Sequence, residues 1–180
     1  MIITGKDAKE TGIVEMCAWD GQFQPAGVDL SLESIYSFEG EGEIDGDNKK
    51  RRLPECKKIE FENSSIKLAL GAYKIVFNEI VNVPEDVCAI ARSRSSLLRM
   101  GAFVASAVWD PGYRGRSEAL LVVQNPHGLI VHEKAKLAQI VFMRLEKKAH
   151  EKYSGQYQGE NIILKDKGES DEERKILDSL

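Results

Sequence analysis

Between residues 75 and 145 the chain follows one plan: short apolar runs, each cut by a turn signal. Ile75–Val83 ends at Pro84-Glu85-Asp86, and Val87–Arg92 follows. Ala102–Trp109 stops at Asp110-Pro111-Gly112, and Ala119–Gln124 stops at Asn125-Pro126-His127-Gly128. Leu129–His132 precedes Glu133-Lys134, and Leu137–Leu145 closes the series. Runs of about 5–8 residues at this spacing predict an all-β sandwich or barrel. The β-branched content of Ile75-Val76-Phe77 and Gln139-Ile140-Val141-Phe142 agrees with strands. Ser95–Gly101 is the exception. Serine opens it, helix formers fill it and glycine ends it, which predicts one short helical turn.

Length and composition narrow the function classes. A chain of 180 residues can bury the core of one ordinary domain. With 42% hydrophobic and 30% charged residues it has the composition of a soluble globular protein. No apolar run approaches the roughly 20 residues of a spanning helix, so no membrane partner is expected. A net charge of −4 argues against a broad nucleic-acid surface. The opening MIITGKDAKE carries two acidic groups and lacks an apolar signal core. The three cysteines form no CxxC pair, which supports neither a disulfide framework nor a zinc knuckle. The expectation is a cytoplasmic protein with reduced thiols. Residues 1–162 read as one β domain, and 163–180 as a charged tail or short helix. The acidic, glycine-rich Glu39–Asp47 stretch and the basic Lys49-Lys50-Arg51-Arg52 read as an exposed hairpin tip or loop.

The sharpest chemical signal is Arg92-Ser93-Arg94-Ser95-Ser96-Leu97, with Asp110-Pro111-Gly112-Tyr113-Arg114-Gly115 starting sixteen residues after Arg94. Arg94 offers a planar fork of donors, Ser95 and Ser96 add hydroxyls, and the first amides of a helical turn have no partner within it. That combination suits phosphate oxygens. An ordinary helix cap beside a surface arginine is the plain alternative. Asp110 is a carboxylate that is ionised at neutral pH and able to orient a water, or a common turn residue before Pro-Gly.

Taken together, these segments resemble the dUTPase and dCTP deaminase superfamily. Arg94-Ser95-Ser96-Leu97, with Arg99 and Gly101 after it, resembles its phosphate-binding motif. Asp110–Gly115 resembles its nucleoside-binding hairpin, and Gln24-Pro25-Ala26-Gly27-Val28-Asp29-Leu30 its first motif. Ala138-Gln139-Ile140-Val141-Phe142 resembles the Ala-Gln-Leu-Val/Ile-Phe motif. Tyr153-Ser154-Gly155-Gln156-Tyr157-Gln158-Gly159 resembles the segment that covers the nucleotide in the deaminase branch. The matches run in family order, and the likeness is nearest to archaeal-type dUTPases.

The resemblance implies a distorted jelly roll with short helical elements, and a homotrimer with active sites at subunit interfaces. It implies Mg²⁺-dependent hydrolysis of dUTP to dUMP and pyrophosphate. Asp110 would activate water, while Arg94, Ser95, Ser96 and Gln139 would contact phosphates. Tyr113 would pack on the deoxyribose, and Tyr157 and Gln158 would belong to the covering segment. Asp29 would act on the metal through water. The alternative is dCTP deamination, alone or coupled to dUTP hydrolysis. In that branch a glutamate precedes an asparagine in a pattern like L-E-x-x-N. Here Leu121-Val122-Val123-Gln124-Asn125 places Val122 there, which cannot move a proton, and Glu118 is the nearest acid. A non-catalytic nucleotide-binding protein on the same fold is the third reading. Three departures stand out: Trp109 before the aspartate, Gln156 where a phosphate-binding lysine is common, and Glu160 near an expected glutamine.

Overall fold

The computed structural model describes residues 1–162. The tail or helix expected at 163–180 lies outside the described residues. The all-β expectation holds. Six strands carry the argument: β1 (Gly27–Glu39), β2 (Gly71–Phe77), β3 (Val87–Ser93), β4 (Ala102–Ala105), β5 (Glu118–Val123) and β6 (Lys136–Arg144). All their pairings are antiparallel. β6 lies between β3 and the first residues of β1, while β2 joins the later part of β1 to β5, which pairs with β4. Residues Ile2–Ile3 extend the edge of β6 beyond β1.

β1 is therefore shared between two curled halves of the fold. Its residues 28–31 belong to β6, and 32–36 belong to β2. Both ladders slip at the changeover, between Lys136 and Ala138 on β6 and between Leu32 and Ser34 on β1. An extra residue in a ladder bends the strand and sharpens its twist, and here it turns the corner. Ile35, Ile75, Phe77, Leu121, Ile140 and Phe142 fill the space inside with no exposed surface. Each such side chain contributes about 2 kcal/mol from burial.

The corner is held by a buried acid. Glu79 follows β2, and its carboxylate accepts from the Ser31 amide (2.8 Å), the Ser31 hydroxyl (2.5 Å) and Gln22 Nε2 (2.6 Å). Burial pushes its carboxyl group above the usual range, and these three donors oppose that shift.

The helical turn at Ser95–Arg99 is present as α2 of the chain, after a first helix α1 (Gly5–Thr11) that period and spacing did not announce. Its signals were nevertheless in the sequence. Thr4 accepts from the Asp7 amide at the amino end, and Gly12 ends the helix at a φ of 67°. Residues 40–54 form the exposed hairpin loop expected, closed by backbone bonds between Glu43 and Arg52. Lys49 pairs with Asp47 and Arg52 with Glu41, so two of the four basic residues at 49–52 have an acidic partner nearby. The cysteines are free and only partly buried. Burial pushes the Cys17 thiol up to about 11. Among the described residues no helix is long and apolar enough to cross a membrane.

Gly27 shows how tightly β1 meets β6. A Cβ there would lie 2.1 Å from the Ile140 carbonyl oxygen, a backbone atom with little freedom to yield. Gly27→Ala should therefore lower stability by about 2–3 kcal/mol in chemical denaturation. An unchanged midpoint would mean that the two strands can part at no cost.

Candidate active site

Asp29, expected to act on a metal through water, is a strand residue. It lies within β1, buried to 2% exposure and directly opposite Gln139 of β6. A buried carboxylate needs compensation, and two cations provide it. The Arg94 guanidinium, at the end of β3, pairs with Asp29 Oδ2, and Lys136 Nζ lies 3.3 Å from the same oxygen. Gln24 Nε2 adds a contact at 3.3 Å. Arg94 and Lys136 keep about a third of their side-chain surface exposed, so the cluster faces outward with a net positive charge. Ser95 and Ser96 are exposed immediately after Arg94.

Lys136 was not among the residues expected from the sequence. It stands three positions before Gln139, and in a regular strand such residues point to opposite faces. The β6 bulge consumes one position, so Leu137 and Ala138 are both buried and Lys136 comes round to the side of Asp29. Consecutive apolar residues before a glutamine were the available signal, and they read equally well as plain strand.

The cluster does not look like a resident metal site. A carboxylate already flanked by two cations is a poor direct ligand, and among the described residues no group of three His, Cys, Asp or Glu could hold an ion. Its donors fit phosphate oxygens instead.

The hairpin forms the second part. Trp109 exchanges backbone hydrogen bonds of 2.9 and 3.0 Å with Ala89 of β3. Pro111 and Gly112, the latter at a φ of 86°, then turn the chain, and the Tyr113 amide bonds to the Asp110 carbonyl at 3.1 Å. The Asp110 side chain is exposed and has no hydrogen-bond or ion-pair partner among the described residues. Behind it, Ser117 Oγ accepts from Trp109 Nε1 at 2.6 Å and lies 3.0 Å from the Tyr113 hydroxyl. The unusual Trp109 thus fills the base of the hairpin.

Residues 153–160 pack against this hairpin as a run of turns. The Tyr153 amide bonds to the Pro111 carbonyl, Gly159 to Arg114, and the Arg116 amide to the Glu160 carbonyl. Gln158 uses both ends of its amide, accepting from the Arg114 amide and donating to the Gly112 carbonyl, each at 3.0 Å. Tyr113 donates to Glu160 at 2.7 Å, and its ring meets Tyr153 edge-on at 5.7 Å. Burial pushes the Tyr113 phenol up, so it stays a neutral donor. With 5% of its surface exposed, Tyr113 can meet a sugar only if this segment lifts. Gln158 is an anchor in this arrangement, whereas Tyr157 is exposed.

The two parts are well separated within one chain. Arg94 lies five residues along β3 from Ala89, or about 16 Å at strand rise. Glu118 lines a cleft of about 700 Å³ with Lys74, Arg116, Tyr157 and Asn161. It is ion-paired to Lys74 at 3.0 Å. Val122 lies between Phe103 and Ala72 in the ladder, with no acid beside it.

A family model described as dCTP deaminase-like matches residues 4–145. The chain belongs to the dCTP deaminase-like family. Several curated members carry the name of the other branch. The chain is 49% identical over 141 residues to a probable deoxyuridine 5'-triphosphate nucleotidohydrolase of Methanosarcina mazei, covering 78% of this chain and 82% of the relative. It is 44% identical over 154 residues to the probable enzyme of that name from Archaeoglobus fulgidus, covering 86% and 90%. It is 44% identical over 142 residues to the deoxyuridine 5'-triphosphate nucleotidohydrolase of Methanocaldococcus jannaschii, covering 77% and 88%. Among solved structures, the 2'-deoxycytidine 5'-triphosphate deaminase of Agrobacterium tumefaciens superposes with a TM-score of 0.60 at 22% identity. That match covers 81% of this chain and 49% of the deaminase chain, and it shows that this family member has the family's fold.

Removing the Tyr113 hydroxyl tests the hairpin's packing. Tyr113→Phe should cost about 1 kcal/mol, because Ser117 and the half-buried Glu160 each lose a hydrogen bond. Proteolysis within 151–162 should accelerate. Equal stability and equal cleavage would show that the segment is not held by this bond.

Proposed function

We propose that the protein hydrolyses dUTP to dUMP and pyrophosphate, at sites assembled between the subunits of a homotrimer. The names of the relatives support the reaction. The observation that carries the site assignment is the outward-facing group of Arg94, Lys136 and Gln139 around Asp29, set about 16 Å along β3 from an unpartnered Asp110.

Asp110 orients a water and takes up its proton. The water oxygen bonds to the α-phosphorus, the bridge from that phosphorus to the β-phosphate breaks, and pyrophosphate leaves. Arg94 and Lys136 keep their contact with Asp29, turn their remaining N–H donors to phosphate oxygens and neutralise the charge that develops there. Ser95, Ser96 and Gln139 add neutral donors. With Asp110 and Arg94 set that far apart along one chain, a second copy supplies one of them on this reading. The segment at 153–160 lifts to admit the sugar against Tyr113, and Tyr157 covers it. A divalent ion would come with the nucleotide on this reading and would neutralise phosphate charge. Asp29 would be the group of this chain to act on it through water.

Deamination is disfavoured by the strand after the hairpin, where Glu118 is engaged by Lys74 and Val122 has apolar neighbours. Purified protein with Mg²⁺ should release pyrophosphate from dUTP and no ammonia from dCTP. Asp110→Asn should lower kcat by about 100-fold or more with KM little changed. Lys136→Met should act mainly on KM. Folded protein that binds dUTP without turnover, unaffected by Asp110→Asn, would point to a binding protein instead.

A further inference from the structure

Glu79 is fully buried, yet no cation pairs with it among the described residues. An unpaired buried carboxylate is costly to keep in a core. Its three donors come from two residues, Ser31 and Gln22, and both lead back to the phosphate-binding cluster. Ser31 lies two positions after Asp29 and opposite Lys136, at the slip in the β1–β6 ladder. Its amide bonds to Glu79 Oε2. Gln22, itself fully buried, donates from the same nitrogen to Glu79 and to the Asp29 carbonyl, at 2.6 and 2.7 Å. Its oxygen accepts from the Trp19 amide at 2.7 Å, which leaves the side chain no other orientation.

We propose that Glu79 is a positioning residue for phosphate binding. Through Ser31 and Gln22 it fixes the corner of β1 that brings Lys136 onto the same face as Asp29 and Gln139. An apolar residue could fill the volume but could not take the Ser31 amide or hold Gln22 against the Asp29 carbonyl. The role rests on the reading of that cluster as a triphosphate site, and it touches no reacting atom.

The test uses the full chain and inorganic tripolyphosphate, titrated by calorimetry, with dUTP turnover measured in parallel. Glu79→Gln keeps the shape but faces converging donors with an amide. Gln22→Met keeps Glu79 with both Ser31 donors and removes Gln22's own bonds to Glu79, the Asp29 carbonyl and the Trp19 amide. Both should melt cooperatively and bind tripolyphosphate about tenfold more weakly, since small misplacements of binding groups are expensive. KM for dUTP should rise by a similar factor with kcat within about threefold of the unaltered protein. In a Lys136→Met background the same changes should cost less than about threefold, because the contact they position is already gone. Affinity within about twofold in a cooperatively folded variant would overturn the proposal, as would losses that multiply fully with Lys136→Met. Failure of the unaltered protein to bind tripolyphosphate would overturn it too. If Glu79→Gln does not fold, Gln22→Met decides. Tripolyphosphate binding without dUTP turnover would count against the proposed reaction and leave the positioning role to be judged on the affinities.

Discussion

The site is organised around a buried negative charge. Asp29 sits inside a strand where a carboxylate is tolerated only with compensation. That requirement draws Arg94 from the end of β3 and Lys136 from the start of β6 to one oxygen. Three segments far apart in sequence are thereby pinned together. The same pairing holds two flexible cations in a fixed place. On the proposed reading this lowers the ordering cost that a loose pair of long side chains would add to phosphate binding.

The hairpin obeys a different logic. Trp109, Tyr113 and Ser117 form a small buried polar cluster, and the 153–160 segment completes it through Glu160. Many of the bonds that dock this segment run from backbone to backbone, so they depend little on side-chain identity. Gln156 accepts from Arg51 of the 40–54 loop, and Glu160 serves the hairpin. Neither position offers a positive charge, so on the proposed reading phosphate recognition falls to Arg94 and Lys136.

Much of this was legible in the sequence. The strand runs between 75 and 145, the turn at Ser95 and the hairpin at Asp110 are local patterns, and local patterns survive tertiary packing. Ala102–Trp109 was read too long, because only Ala102–Ala105 pairs as strand and Trp109 makes an isolated bridge. Ile75–Val83 is split at Asn78-Glu79, where a buried acid interrupts an apolar run. Lys136 escaped because a period of two forbids what a bulge permits. Asp29 was found by its motif, but its partners were not, since ion pairs between distant strands leave no mark on spacing. The separation of Asp110 from Arg94 was equally invisible, as it follows from where the hairpin meets β3.

A mixing experiment tests that separation directly. Asp110→Asn and Arg94→Gln chains, each inactive alone, are unfolded together and refolded as one preparation. If a site takes Asp110 from one copy and Arg94 from another, random assembly restores about a quarter of the sites, and pyrophosphate release from dUTP returns to roughly that level. If each site draws both residues from one chain, the mixture stays as inactive as its components, and the shared-site account is wrong.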